Sequence, residues 1–231
     1  MDLFPLYNSL RVASISTFIT FFAGICAAHY IARAPKAVKG VLDCILTLPM
    51  VLPPTVVGFF LLKTIGPYGP VGSVVLDIWG FRLTMAWYSA IFATTAVTFP
   101  LMYRTVRGAF ESFDRTLLYS AQTLGLSDTF IFWRITIPNC KQGILAGTVL
   151  AFARALGEFG ATTMVTGYIP GRTATISTAV YQFWREGNDA LAYKWVAVNL
   201  VISFLVLTTV NMLENRYDRP KRARAVLADK G

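Results

Sequence analysis

Apolar runs separated by short polar stretches set the pattern of the chain. Residues 12–31, 41–62, 84–103, 142–166 and 193–213 are each long enough to cross a bilayer, for which roughly 20 apolar residues suffice. Two further apolar stretches are too short to span. Residues 74–81 suit the interface, with Trp79 and Phe81 fitted to headgroup depth, and residues 173–184 suit a re-entrant or interfacial helix. The pattern predicts an all-α, polytopic membrane protein with about five transmembrane helices.

Two of the runs have unusual contents. The second carries Pro49, Pro53 and Pro54, each of which removes a backbone donor and crowds the preceding turn. Such a break is either an inert kink or a place where freed carbonyls face protein or a water-filled path. The fourth holds Arg154 and Glu158 amid Gly147, Gly157, Gly160 and Gly167. Four residues apart, the two charges share a helical face. Alone at mid-bilayer each would cost roughly 2.5–3.5 kcal/mol, so both must face protein or water. They form either a self-neutralising structural pair or a path element, with Arg154 attracting an anion and Glu158 preventing its tight capture.

Between the third and fourth runs, residues 105–141 are polar. Tyr119 to Leu124 tolerate a helix, Gly125 is placed for a left-handed cap, and Ser127 or Asp128 can cap a second short helix. Ile131, Phe132 and Ile135 fall at helical spacing, and Pro138 is expected to end that element. The module lies on the same side as Arg104, Arg107 and Arg115, where it would meet a soluble partner.

Composition narrows the class. The 231 residues are 55% hydrophobic and only 14% charged, which excludes an ordinary soluble domain. The formal charge of +9 is scattered beside apolar runs rather than gathered for nucleic acid. Fourteen Lys and Arg residues fall on one side of a five-span arrangement and six on the other. That asymmetry predicts an outside N-terminus, with residues 105–141 and the basic stretch 216–231 in the cytoplasm. Cys26, Cys44 and Cys140 lack metal or disulfide spacing, and His29 has no companion ligand. There is no Walker sequence, HExxH or GxSxG, and Glu158 is the one carboxylate deep in a run, with Asp43 near a run's end. No catalytic, metal or cofactor site is expected, so an ATP-driven machine would borrow its ATPase from another polypeptide.

Three blocks carry a resemblance. Ser120-Ala121, three residues, Gly125, then Ile135-Thr-Ile-Pro138 resembles the cytoplasmic signature of permease subunits of ABC importers. Tyr119 stands where that family often has Glu, and Ile137 replaces its Leu. Thr47 to Gly58, and Ala151 to Ala161 followed by Ile169 to Thr173, resemble blocks of molybdate permeases, to which sulfate and tungstate permeases are close. The similarity runs from about residue 7 to about residue 215. It implies the type I ABC importer permease fold, a single transmembrane domain over 1–215, and multi-pass insertion in the bacterial inner membrane. By that resemblance Tyr119, Ser120, Ala121, Leu124, Gly125, Leu126, Ile137 and Pro138 couple to the ATPase. Pro53, Pro54, Thr55, Arg154, Gly157, Glu158 and Gly160 then belong to the translocation pathway. The implied partners are a second copy of the chain, two cytoplasmic ATPase subunits that bind ATP and Mg, and an extracytoplasmic oxyanion-binding protein. The implied function is import of an oxyanion, most naturally molybdate, by alternating access. Sulfate, thiosulfate or tungstate import is the alternative within the family, and a passive anion channel the alternative outside it.

Overall fold

The computed structural model describes residues 2–228, with side chains described except at Lys36, Arg115, 210–211 and 213–228. Every regular element among them is helical. The first helix, α1 (Phe4–Ala32), is 29 residues long, about 43 Å at the helical rise, which exceeds a bilayer core of about 30 Å. Its buried stripe is made of small residues: Ala13, Ser16, Thr20, Gly24 and Ala28. These let it lie close against α5 (Ser89–Glu111). A Cβ on Gly24 would sit 2.7 Å from Cγ of Met102, so that position requires glycine.

The second apolar run is not one span. Helix α2 (Lys36–Val51) stops at Leu52, and α3 (Pro54–Ile65) leaves at 109° to it. Pro53 and Pro54 supply the reason, since neither can donate to the turn before it. Pro49 lies inside α2 without ending it. The short α4 (Pro70–Trp79) follows, closed by Gly80 in the left-handed conformation.

The third expected span begins later than its apolar run. Residues 83–88 form turns, with the Met85 N–H bonded to the Val165 carbonyl at 3.2 Å, and α5 starts at Ser89. At its other end α5 continues through residues 105–111, which the sequence assigns to the loop. By length and apolarity α1 and residues 189–209 qualify as spans among the described residues, and four spans qualify when each bent pair counts as one. Helix α5 falls outside that set although it has 23 residues. It buries Ala93, Thr94, Val97, Thr98, Met102 and Val106 against its neighbours. A central helix covered by protein can carry the threonines that a lipid-facing helix avoids.

Next come α6 (Arg115–Thr123), α7 (Asp128–Ile131), a π-helical turn (Phe132–Thr136) and α8 (Ile137–Asn139). Pro138 therefore does not end the element. It sits in the first turn of α8, just past the wide π turn, where a missing N–H is tolerated.

The fourth run is also broken. Helix α9 (Lys141–Leu156) and α10 (Gly160–Thr166) meet at 56°, with Gly157, Glu158 and Phe159 between them. Helix α11 (Ile176–Arg185) begins in a reciprocal cap between Thr175 and Thr178. It packs Ile176 and Ala179 on the fully buried Trp195 of α12 (Asp189–Ala228). The loop before it is tied to α1: Asn8 Nδ2 donates to the Thr173 and Ala174 carbonyls, and the Ile176 N–H donates to Ser9 Oγ at 2.8 Å. The backbone of α12 remains helical through the basic stretch as far as Ala228; residues 229–231 lie outside the described residues.

Candidate translocation path and coupling surface

The two breaks meet. Helices α3 and α10 cross at glycines, where a Cβ on Gly58 would lie 2.8 Å from Ala161 Cα. One on Gly160 would lie 3.0 Å from Pro54 Cβ and 3.2 Å from the Thr55 nitrogen. Pro54, Thr55 and Gly160 are thus brought together, with Gly157 and Glu158 in the adjoining break. Pro53, Thr55 and Gly157 are exposed in the single chain, whereas Glu158 is buried.

Glu158 serves both halves of its broken helix. Its Oε1 accepts the Ala161 N–H at 2.8 Å, capping the start of α10. Its Oε2 lies 2.7 Å from Nη1 of Arg154, in the last turn of α9. That ion pair is not aligned as a hydrogen bond, so Oε2 has a counter-charge but no directed donor. A cation at a helix C-terminus and an anion at a helix N-terminus each complement the helix dipole. The Arg154 side chain is 36% exposed and that of Glu158 1%, so the cation is the member of the pair that reaches solvent.

At the other end of the molecule, Asp114 caps α6 by accepting the Thr116 N–H, which holds its carboxyl below the usual value. The helix starts at Arg115, earlier than the Tyr119 to Leu124 stretch the sequence suggests. The Leu126 N–H reaches back to the Ala121 carbonyl at 3.2 Å, and Gly125 N–H to Gln122 at 2.9 Å. With φ of 74° at Gly125, this is a Schellman-type stop. Ser127, rather than Asp128, caps α7 through the Phe130 N–H. Tyr119, Ser120 and Leu124 are exposed and Leu126 is half-buried. Ala121 is buried within the chain itself, Ile137 packs on its inner core, and Pro138 is exposed. The surface offered outward is therefore Tyr119, Ser120, Leu124 and Pro138, with Ala121 and Ile137 holding it from behind. Burial pushes the Cys140 thiol up to about 11, and its Sγ donates to the Ala109 carbonyl.

A charged cluster ties the start of α2 to the end of α5, and the sequence reading does not anticipate it. Lys39 Nζ lies 2.6 Å from Glu111 Oε1, which also accepts from Arg107 Nε at 3.0 Å. Arg107 pairs in addition with Asp43, to which the Tyr103 hydroxyl donates. The signal was present as two four-residue repeats, Lys39 with Asp43 and Tyr103 with Arg107 and Glu111, each on one helical face.

This all-helical bundle, with two broken helices crossing and a capped helix–glycine module, has the fold of type I ABC importer permeases, as solved structures of that class show. A bacterial ABC transporter that imports the acidic polysaccharide alginate shares this fold with a TM-score of 0.77 at 20% identity, over 93% of this chain and 79% of that one. The MetNI methionine ABC transporter in an inward-facing conformation gives 0.72 at 13%, over 92% and 94%. The model of the binding-protein-dependent transport system inner membrane component matches residues 20–219, and the chain belongs to that family. It is a multi-pass protein of the bacterial inner membrane and the permease component of an ABC importer, a family whose ATPase is a separate subunit. Among its relatives, the putative molybdenum transport system permease protein YvgM of Bacillus subtilis is 38% identical over 203 residues, 88% of this chain and 89% of YvgM. The molybdenum transport system permease protein ModB of Escherichia coli K12 is 38% identical over 200 residues, 86% and 87% of the two chains. The sulfate transport system permease protein CysW of Synechocystis is 32% identical over 205 residues, 89% and 74%.

Proposed function

We propose that this chain passes molybdate through the membrane as half of a homodimeric permease. Two cytoplasmic ATPase subunits drive it, and an extracytoplasmic oxyanion-binding protein loads it. The observation that carries the reading is the crossing of α3 and α10 at Gly58 and Gly160, beside a buried Glu158 and a partly exposed Arg154. Unwound backbone is tolerated within a membrane where it is covered by protein or lines a cavity. The exposed Pro53, Thr55 and Gly157 are then faces that a second copy completes into a path. The names of the YvgM and ModB relatives support molybdate as the cargo.

Tyr119, Ser120, Leu124 and Pro138 are the surface presented to the ATPase, with Gly125 and Leu126 shaping its turn. ATP and Mg belong to that subunit, and the catalytic chemistry is assigned to it rather than to this chain. The N-terminus lies outside, and the basic stretch from Arg216 lies in the cytoplasm beyond the 1–215 domain. The likeness to CysW favours a second reading, sulfate, for which the architecture would serve equally. The test is uptake of labelled molybdate into vesicles holding the chain, its ATPase and its binding protein. ATP-dependent uptake, blocked by unlabelled molybdate and not by excess sulfate, is expected. Uptake without ATP would make the chain a channel, and preferential block by sulfate would replace the cargo.

A further inference from the structure

A cavity of about 480 Å³ opens between the C-terminal half of α1 and the α7–π segment. One wall is a single face of α1: Phe22, Ile25, Cys26, His29 and Arg33 recur at three- and four-residue spacing. From Phe22 to Arg33 the wall runs about 16 Å along the helix. It is apolar at its inner end and charged where α1 stops. Asp128 lines the same cavity from α7, and Phe132 places its ring 4.1 Å from that of His29.

Neither Arg33 nor Asp128 makes an ion pair among the described residues. Asp128 is not used as a cap either, because Ser127 performs that role for α7. The cavity therefore gathers one cation and one carboxylate beside an apolar wall, a combination that one class of molecule complements. A membrane phospholipid with a phosphate and a primary ammonium in its headgroup has the complementary dipole and an attached acyl chain. A guanidinium suits the phosphate, an ammonium supplies three donors to a carboxylate, and Phe22, Ile25 and Cys26 cover the start of the chain.

We infer that this cavity seats one amine-bearing zwitterionic phospholipid, its phosphate on Arg33, its ammonium on Asp128 and an acyl chain along Phe22 and Ile25. The inference rests on the inner-membrane placement of the family and not on the anion transported. The lipid would bridge α1 to the segment that follows α6, placing bilayer composition in contact with the proposed coupling surface.

The test is native mass spectrometry of the full chain, purified with its ATPase and exchanged into an equal mixture of phosphatidylethanolamine, phosphatidylcholine and phosphatidylglycerol. The tightly retained lipid should be phosphatidylethanolamine, about fivefold over the choline lipid, the scale of one exposed ion pair. Asp128→Asn should bring that ratio to about one while total retention persists. Arg33→Gln should lower retention of all three. Cys26→Trp should fill the apolar end and lower retention with both charges intact, so a failure of the charge variants to fold leaves the test standing. A ratio near one in the unaltered chain, a preference for phosphatidylglycerol, or an unchanged ratio in Asp128→Asn would overturn the site. Because retention is read without transport, a failed uptake assay leaves this result independent.

Discussion

Gly125 holds φ at 74° with no atom within 4 Å of where a Cβ would stand. A valine there meets no clash, yet the left-handed backbone costs it about 1–2 kcal/mol. Gly125→Val should unwind the stop after α6 and weaken co-purification of the ATPase, with the amount of inserted chain unchanged; normal association would remove the turn from the coupling surface. The Arg154–Glu158 pair yields a second residue-scale expectation. Glu158→Gln keeps an acceptor for the Ala161 N–H, whereas Glu158→Ala loses the cap, at about 1 kcal/mol, and strands Arg154. The alanine variant should therefore assemble poorly. The double variant Arg154→Met with Glu158→Gln should assemble and hydrolyse ATP but fail in uptake. If it imports normally, the pair is structural alone.

Among the elements, the crossing of α3 and α10 is a joint where a glycine lies against backbone. A Cβ on Gly58 would meet the backbone of Ala161 at 2.8 Å, and backbone cannot step aside as a side chain can. Gly58→Val should cost about 1–3 kcal/mol by overpacking, read as a lower unfolding temperature of the detergent-solubilised chain; an unchanged temperature would mean the helices are free to part. Half of this joint was legible beforehand. Pro53 and Pro54 announced one break, whereas residues 142–166 read as a single span whose glycines suggested close packing, and the break at residues 157–159 emerged only in the fold. The angle between α2 and α3 was not legible either, because a proline fixes where a helix stops and not where the next one points. Nor was the start of α6, although Asp114 ahead of Thr116 carried a capping signal. The apolar run of residues 84–88 looked like span because hydropathy does not register the turn that Met85 makes with Val165.

Across the whole molecule, two packed clusters sit at opposite ends of α5. One gathers Ala28, Met102, Tyr103, Val106 and Ile144; the other gathers Val57, Ala93, Val97, Ala161 and Val165. The Asp43–Arg107 and Lys39–Glu111 pairs hold the start of α2 against the first cluster. Asp43→Asn leaves Glu111 as the counter-charge of Arg107, a loss of about 1–2 kcal/mol for a partly exposed pair. Amide exchange in the first turns of α2 should then quicken while α1 and α5 stay protected; equal protection throughout would show that the cluster does not hold α2. No sequence pattern places Lys39 beside Glu111 across the intervening chain, so this cluster awaited the fold. The threonine-bearing α5 has a consequence for how the protein is made. A translocon sorts nascent helices by their own apolarity, and α5 offers less than α1 or residues 189–209. The small-residue face of α1, made first, is the surface that packs against it. Synthesis order should therefore matter: a chain deprived of α1 should insert α5 less completely, read as greater access of α5 positions to a water-soluble label; equal protection would show that α5 inserts on its own.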